Sequence, residues 1–257
     1  MIDFSGKTVL VTGGSRGIGA ETAEVLGRCG ARVVVHYSSN LEAAKTVAEK
    51  IYSEGNTQKV DLIPVDLGQP GAGRRLWRDT KAVAGKIDVL INNAGISPPA
   101  PFDDSDEAWD LAWTQTLAVN LLAVGDLCRM AVKDFAEQGG GIIVNVASRA
   151  AFRGESPDYM PYAASKGGMI SMTRTLARGW AKQGVLAYAV APGFVGTDMA
   201  YDIMNDADSR EAVVRDIPMG DIAPVQDVAN VIAFLASGLS PHATGTTIDV
   251  NGASYVR

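Results

Sequence analysis

The chain has 257 residues, 47% of them apolar, and a formal net charge of −6. That length suits a single α/β domain with ample core, and the acidic balance argues against nucleic acid and anionic membrane surfaces as partners. No apolar run approaches the ~20 residues of a membrane span, no basic, apolar leader opens the chain, and Cys29 and Cys128 lie far apart, so buried free thiols and a cytoplasmic location are expected.

The first strand-like run covers 7–12, and Thr12-Gly13-Gly-Ser15-Arg16-Gly17-Ile18-Gly19 follows it. A helical pattern through Ala23, Leu26 and Gly30 comes next. Strand, glycine turn and helix give a dinucleotide pyrophosphate a close backbone and a helix N-terminus. A tight structural turn is the plainer alternative. The second run, 32–37, ends in His36, Tyr37, Ser38, Ser39 and Asn40 and offers no carboxylate. An acidic residue there serves the ribose diol of NAD. Its absence, the donors at Ser38 and Ser39, and the cation of Arg16 favour NADP(H), with NAD(H) the alternative. The serines could instead cap a helix starting near Leu41.

The third run, 59–65, leads to Asp66 and Leu67, and the fourth, 87–92, leads to Asn92-Asn93-Ala94-Gly95. A long helix is predicted over 109–137, holding Asn120 and an apolar stripe from Leu117 to Phe135, with Leu122, Leu127 and Val132 off that stripe. The fifth run, 141–147, delivers Ser148. Tyr162 and Lys166 follow, four apart and so on one face of a helix. A nearby ammonium stabilises a phenolate, so Lys166 is expected to pull the Tyr162 pKa down. The sixth run, 185–191, leads to Pro192, Gly193, Val195 and Thr197, and the seventh covers 246–250. Strands alternating with helices predict an α/β fold: a doubly wound, seven-stranded parallel sheet flanked by helices, with ligands at the strands' carboxyl ends. One domain over 1–257 is expected. His36 and His242 make no cluster with the cysteines, so no metal site is expected.

In these motifs the chain resembles the short-chain dehydrogenase/reductase family. It is similar to the branch holding 3-oxoacyl carrier-protein reductases, glucose dehydrogenases and many carbonyl reductases. The family's TGxxxGxG matches Thr12 to Gly19, its acidic residue Asp66, its NNAG Asn92 to Gly95, and its PG motif Pro192-Gly193 with Thr197. The resemblance implies a Rossmann domain and an oxidoreductase that interconverts a carbonyl and a secondary alcohol by hydride transfer. It implies Asn120, Ser148, Tyr162 and Lys166 as catalytic residues. Tyr162 would be the proton donor or acceptor, Lys166 would also hold the nicotinamide ribose, and the main chain of Asn120 would keep a water. Leu67, Asn93, Ala94, Gly95, Pro192, Gly193, Val195 and Thr197 would border the cofactor. The resemblance further implies a substrate lid at 193–223 and a homotetramer joined through the two long helices.

Phe194, Met199, Tyr201, Ile203 and Met204 in that lid, with Phe152, Arg153 and Met160 nearer Tyr162, favour a small, moderately apolar ketone or alcohol. The alternative is a 3-oxoacyl carrier-protein reductase, for which Arg129, Lys133, Arg174 and Arg178 would greet an acidic carrier. A catalytically silent, cofactor-sensing protein is the alternative of another class. The chain departs from the carrier-protein reductases by one extra residue between Ser148 and Tyr162, near Gly154–Pro157, and by a longer segment after Gly95. Tyr188 and Gly179 also stand where other residues are usual. These differences bear on the substrate.

Overall fold

Seven short runs rich in Val, Ile, Leu and Ala form one parallel sheet: β1 (Thr8–Val11), β2 (Arg32–Tyr37), β3 (Asp61–Pro64), β4 (Val89–Asn92), β5 (Gly141–Val146), β6 (Val185–Pro192) and β7 (Thr247–Val250). The computed structural model describes residues 2–197 and 206–257. The strand order is β3-β2-β1-β4-β5-β6-β7. All four residues of β1 and of β4 are buried, as expected of strands covered on both faces. β1 pairs with β2 on one side and β4 on the other, so the strand order reverses there. A crevice at that reversal is where such sheets bind ligands.

Between the strands run α1 (Gly17–Arg28), α2 (Leu41–Ser53), α3 (Ala72–Ala84), α4 (Asp106–Leu117), α5 (Ala123–Glu137), the single turn α6 (Ala150–Arg153), α7 (Met160–Trp180), α8 (Ala207–Arg215) and α9 (Val225–Ala236). Leu26, Ile51 and Ile232 place α1, α2 and α9 in one apolar cluster, while Leu76, Leu127 and Met169 place α3, α5 and α7 in the other. The period-2 alternation of β2 feeds both: Val33, Val35 and Tyr37 enter the first cluster and Val34 the second. Trp77 on α3 packs edge-on against Phe135 of α5 at 5.7 Å, and its indole N–H donates to Asp134 at 2.7 Å. Truncating it to alanine would cost about 3–5 kcal/mol.

The expected helix over 109–137 differs in two ways. It starts earlier, at Asp106, because the Ser105 hydroxyl caps it by accepting from the Ala108 N–H at 3.2 Å. It is also broken by a π turn at Ala118–Leu122, which carries Asn120. Asp106–Glu137, whose most apolar 18-residue window has a mean hydropathy of 1.2, is long and apolar enough to cross a membrane by length and composition alone. Its apolar residues answer instead to packing: Val124, Leu127, Ala131 and Phe135 lie in the core against α3, α7 and the sheet. Cys128 is buried there, with its thiol pushed up to about 12 by burial, whereas Cys29 is only partly buried.

Candidate active site

A cleft of about 1140 Å³ lies along the carboxyl ends of the strands and gathers residues from both halves of the sheet. At one end is the glycine turn. Gly13 has φ +61°, and a Cβ on it would stand 2.9 Å from the Ala94 Cα. A Cβ on Gly19 would drive into the Gly13 carbonyl. Arg16, the residue before α1, provides no side-chain cap. The first turn of α1 begins at this cleft, and main-chain N–H groups at a helix start suit an anion. Gly13, Ser15, Arg16, Gly17 and Ile18 line the cleft.

Three expected cofactor contacts, Thr12, Gly19 and Tyr37, are not among the residues that line the cleft. The Thr12 hydroxyl is buried and accepts the N–H groups of Asn93 and Ala94, both at 3.0 Å. The Asn93 amide answers by donating to the carbonyls of Thr12 and Gly13 at 3.0 and 3.1 Å. Thr12 thus fastens the glycine turn to the Asn93–Gly95 loop. Tyr37 is 7% exposed and packs into the core with α2, because its register in β2 points it away from the cleft. Ser38 and Ser39 do line the cleft. The helix cap falls to Asn40, which accepts from the Ala43 N–H at 3.0 Å, so the serines are not spent on it. Asp66 and Leu67 also line the cleft. Asp66 accepts from the Gln69 amide and the Gly68 N–H, both at 2.9 Å, and these bonds hold its carboxyl below the usual range.

At the other end, α7 enters with Pro161 in its first turn, a position that suits proline's fixed φ and missing N–H. Tyr162 and Lys166 both line the cleft. The Ser148 hydroxyl lies close enough to the Tyr162 phenol to affect its titration, and it accepts from the Ala150 N–H at 3.1 Å. Lys166 is 3% exposed and donates to the Val146 carbonyl at 2.8 Å, with its ammonium 5.6 Å from the Tyr162 ring centre. Burial brings the Lys166 pKa down to about 8. The phenol does not follow the expected direction. Burial raises the Tyr162 pKa, the Ser148 hydroxyl lowers it, and the Glu155 charge raises it again. Lys166 points its charge at a carbonyl of β5, not at the hydroxyl, which accounts for the difference.

Asn120 fastens the loop after β4. Its carbonyl oxygen accepts from the Ile96 N–H at 2.9 Å, and its amide donates to the Ile96 carbonyl at 2.8 Å and to the Ser165 hydroxyl at 3.1 Å. Ser165 in turn donates to the Tyr162 carbonyl at 2.7 Å. The sequence reading passed over Ser165; its position three after Tyr162, on the same helix face, was the available signal. Gly95 leaves room here, since a Cβ on it would stand 3.4 Å from both Asn120 Oδ1 and Lys166 Nζ.

Pro192, Gly193, Phe194, Val195 and Thr197 line the cleft on the far side. The chain leaves the sheet after Pro192, and Val195 then meets Ala223 through an isolated parallel bridge. Met199, Tyr201, Ile203 and Met204 lie outside the described residues. Arg149, next to Ser148, lays its guanidinium over Phe194 at 4.8 Å, and Arg149 and Arg153 both bond Asp216 at the end of α8, at 3.4 and 2.6 Å. Phe152 turns away from the cleft and stacks on Tyr255 with ring centres 6.1 Å apart. Met160 is absent from the lining, whereas Glu155, Ser156 and Tyr159 belong to it. Glu155 and Ser156 lie in the segment where the extra residue is expected, so that segment forms part of the cleft wall.

A doubly wound sheet with a glycine cradle at one end of its cleft and a tyrosine–serine–lysine group at the other defines a dinucleotide-dependent oxidoreductase. The family described as "Enoyl-(Acyl carrier protein) reductase" matches residues 13–253. The 3-oxoacyl-(acyl-carrier-protein) reductase FabG of Rickettsia felis is 38% identical over 253 residues, 98% of each chain. The 3beta-hydroxysteroid dehydrogenase 1 of Eggerthella lenta is 35% identical over 97% of this chain and 94% of its own. Among solved structures, the 3-oxoacyl (acyl-carrier-protein) reductase of Agrobacterium tumefaciens C58 with NADP bound superposes with a TM-score of 0.90 at 31% identity, covering 98% of this chain and 95% of that one. The chain belongs to the short-chain dehydrogenase/reductase family.

Proposed function

We propose that this oxidoreductase reduces a small, moderately apolar ketone, with NADPH preferred to NADH and Tyr162 giving the proton to the carbonyl oxygen. The observation that carries the reading is that Ser148, Tyr162 and the buried Lys166 line one cleft, with the Ser148 hydroxyl beside the phenol. The glycine cradle and the uncapped N-terminus of α1 fit a pyrophosphate. Ser38 and Ser39, with no carboxylate from 36 to 40, suit a 2′-phosphate, and the A. tumefaciens relative carries NADP.

The cofactor, when bound, supplies a hydride to the carbonyl carbon. The remaining work falls to the chain. Ser148 holds the carbonyl oxygen by a hydrogen bond, and Tyr162 donates its O–H as negative charge grows there. Burial keeps the phenol protonated until that moment. Lys166 then lies close enough to stabilise the phenolate and, at the cleft wall, to meet a ribose hydroxyl. Asn120 holds Ile96 and, through Ser165, the first turn of α7. Segment 193–223 is assigned as the substrate lid, and Val195 and Ala223 near its two ends are joined by a parallel bridge.

A 3-oxoacyl group delivered by an acyl carrier protein is the second reading, favoured by the R. felis relative. One assay separates them: kcat/KM for free diketones and quinones, for a carrier-bound 3-oxoacyl chain, and for its free thioester, with both cofactors at low and high salt. The proposal expects turnover of free carbonyls and little advantage for the carrier. A large carrier advantage that vanishes with salt, or with Arg178→Glu, would make the carrier-bound chain the substrate. Cofactor binding without turnover of any carbonyl would leave a cofactor-sensing protein.

A further inference from the structure

His36 sits at the end of β2, 2% exposed, yet its ring borders the cleft. Its Nδ1 lies 3.0 Å from the Gly13 backbone nitrogen and its Nε2 2.8 Å from the Val65 carbonyl oxygen. A backbone N–H only donates and a carbonyl only accepts, so both bonds form in one tautomer alone, with the hydrogen on Nε2. The main chain repeats the same ties. The His36 carbonyl accepts from the Gly14 N–H at 2.9 Å, and the Tyr37 carbonyl accepts from the Val65 N–H at 3.0 Å. Two successive amides of the glycine turn therefore end on His36. Its other arm ends on the residue before Asp66.

We infer that His36 is a positioning residue for the cofactor, bridging the pyrophosphate turn at Gly13 to the adenine side of the cleft at Val65–Asp66. The inference rests on reading this cleft as a dinucleotide site. Gly13 is held at φ +61°, and among the described residues the bond given for its N–H is the one to the His36 ring. The imidazole supplies the acceptor that sets the amide's direction. A buried N–H that loses its acceptor is costly, and the turn would then relax toward other geometries. Doubly protonated imidazole would aim a second donor at Gly13, and burial guards against this by bringing the His36 pKa down to about 4.

The test compares three variants of the full-length protein by NADPH binding, followed by fluorescence, and by steady-state kinetics. Asparagine places an oxygen where Nδ1 stands and can still accept from Gly13. Glutamine reaches toward Val65 but offers Gly13 no acceptor, and leucine offers neither arm. His36→Leu and His36→Gln should raise the NADPH Kd at least about tenfold, with kcat at saturating cofactor within about threefold of wild type. His36→Asn should recover most of the affinity. Nitrogen-15 histidine spectra, assigned with a His242 variant, should show Nε2 protonated and Nδ1 bare. Equal NADPH affinity in the Asn and Gln variants would overturn the inference, as would a bare Nε2. A fall in melting temperature and kcat that asparagine does not rescue would reduce His36 to a packing residue and overturn it equally. Should His36→Leu fail to fold, the Asn–Gln pair decides alone. A wild-type protein that binds neither NADPH nor NADH would instead sink the dinucleotide reading itself.

Discussion

Lys166 donates to the Val146 carbonyl at 2.8 Å while its ammonium lies 5.6 Å from the centre of the Tyr162 ring. The four-residue spacing puts both side chains on one face of α7, but it does not make them an ion pair. The lysine is anchored to the sheet. Its charge sits beside the phenol ring, which is where the proposed mechanism needs it.

That anchoring has a measurable cost in stability. Burial lowers the Lys166 pKa from 10.5 to about 8. Between those two values the unfolded chain holds more protons than the folded one, so this residue makes stability rise with pH. The cost is fully present below about pH 8 and is relieved as pH rises toward about 10.5. Its size is about 3 kcal/mol, at about 1.4 kcal/mol per pH unit. Lys166→Met should therefore be most favourable to stability relative to wild type at neutral pH, and should lose that advantage toward pH 10. Urea unfolding at several pH values reads the difference. A gap independent of pH would show that the lysine is not burdened by burial.

Cofactor preference should turn on Ser38. A carboxylate there would face the 2′-phosphate across a few ångströms, a repulsion of about 1–4 kcal/mol at about 4 Å. Ser38→Asp should lower kcat/KM for NADPH at least about fivefold and leave NADH less affected. Tyr37→Asp is no equivalent, because Tyr37 lies in the core and the change would bury a charge. Wild type preferring NADH would contradict the assignment of Ser38 and Ser39.

Assembly should involve the π turn between α4 and α5. Leu122, in that turn, is 66% exposed, and Leu111 of α4 and Trp180 at the end of α7 are exposed apolar residues as well. Light scattering should give about four times the 26.9 kDa chain mass at micromolar concentration. Leu122→Glu should shift it toward smaller species. A monomer mass for wild type would refute a tetramer.

Much of this was legible in the sequence because strands covered on both faces show as short apolar runs, and all seven runs became strands. The glycine turn, Ser148, Tyr162 and Lys166 were legible from residue type and spacing. Side-chain direction was not. Tyr37 and Thr12 sit beside cleft residues in the chain, but the pleat of β2 sends Tyr37 into the core and a hydrogen-bond exchange takes Thr12. The Lys166–Val146 bond depends on α7 packing against β5, and the bridging position of His36 depends on strands brought together only by the sheet. The π turn at Asn120 is equally hidden, because the apolar pattern runs through it unbroken.

The central claim is that Tyr162 is the proton donor. The most direct test is Tyr162→Phe, measured as kcat for a diketone at saturating NADPH, alongside NADPH affinity. The hydroxyl acts in the transition state more than in binding, so kcat should fall at least about a hundredfold, the low end for a general acid, while the NADPH Kd stays within about threefold. Near-normal turnover by the phenylalanine variant would contradict the account.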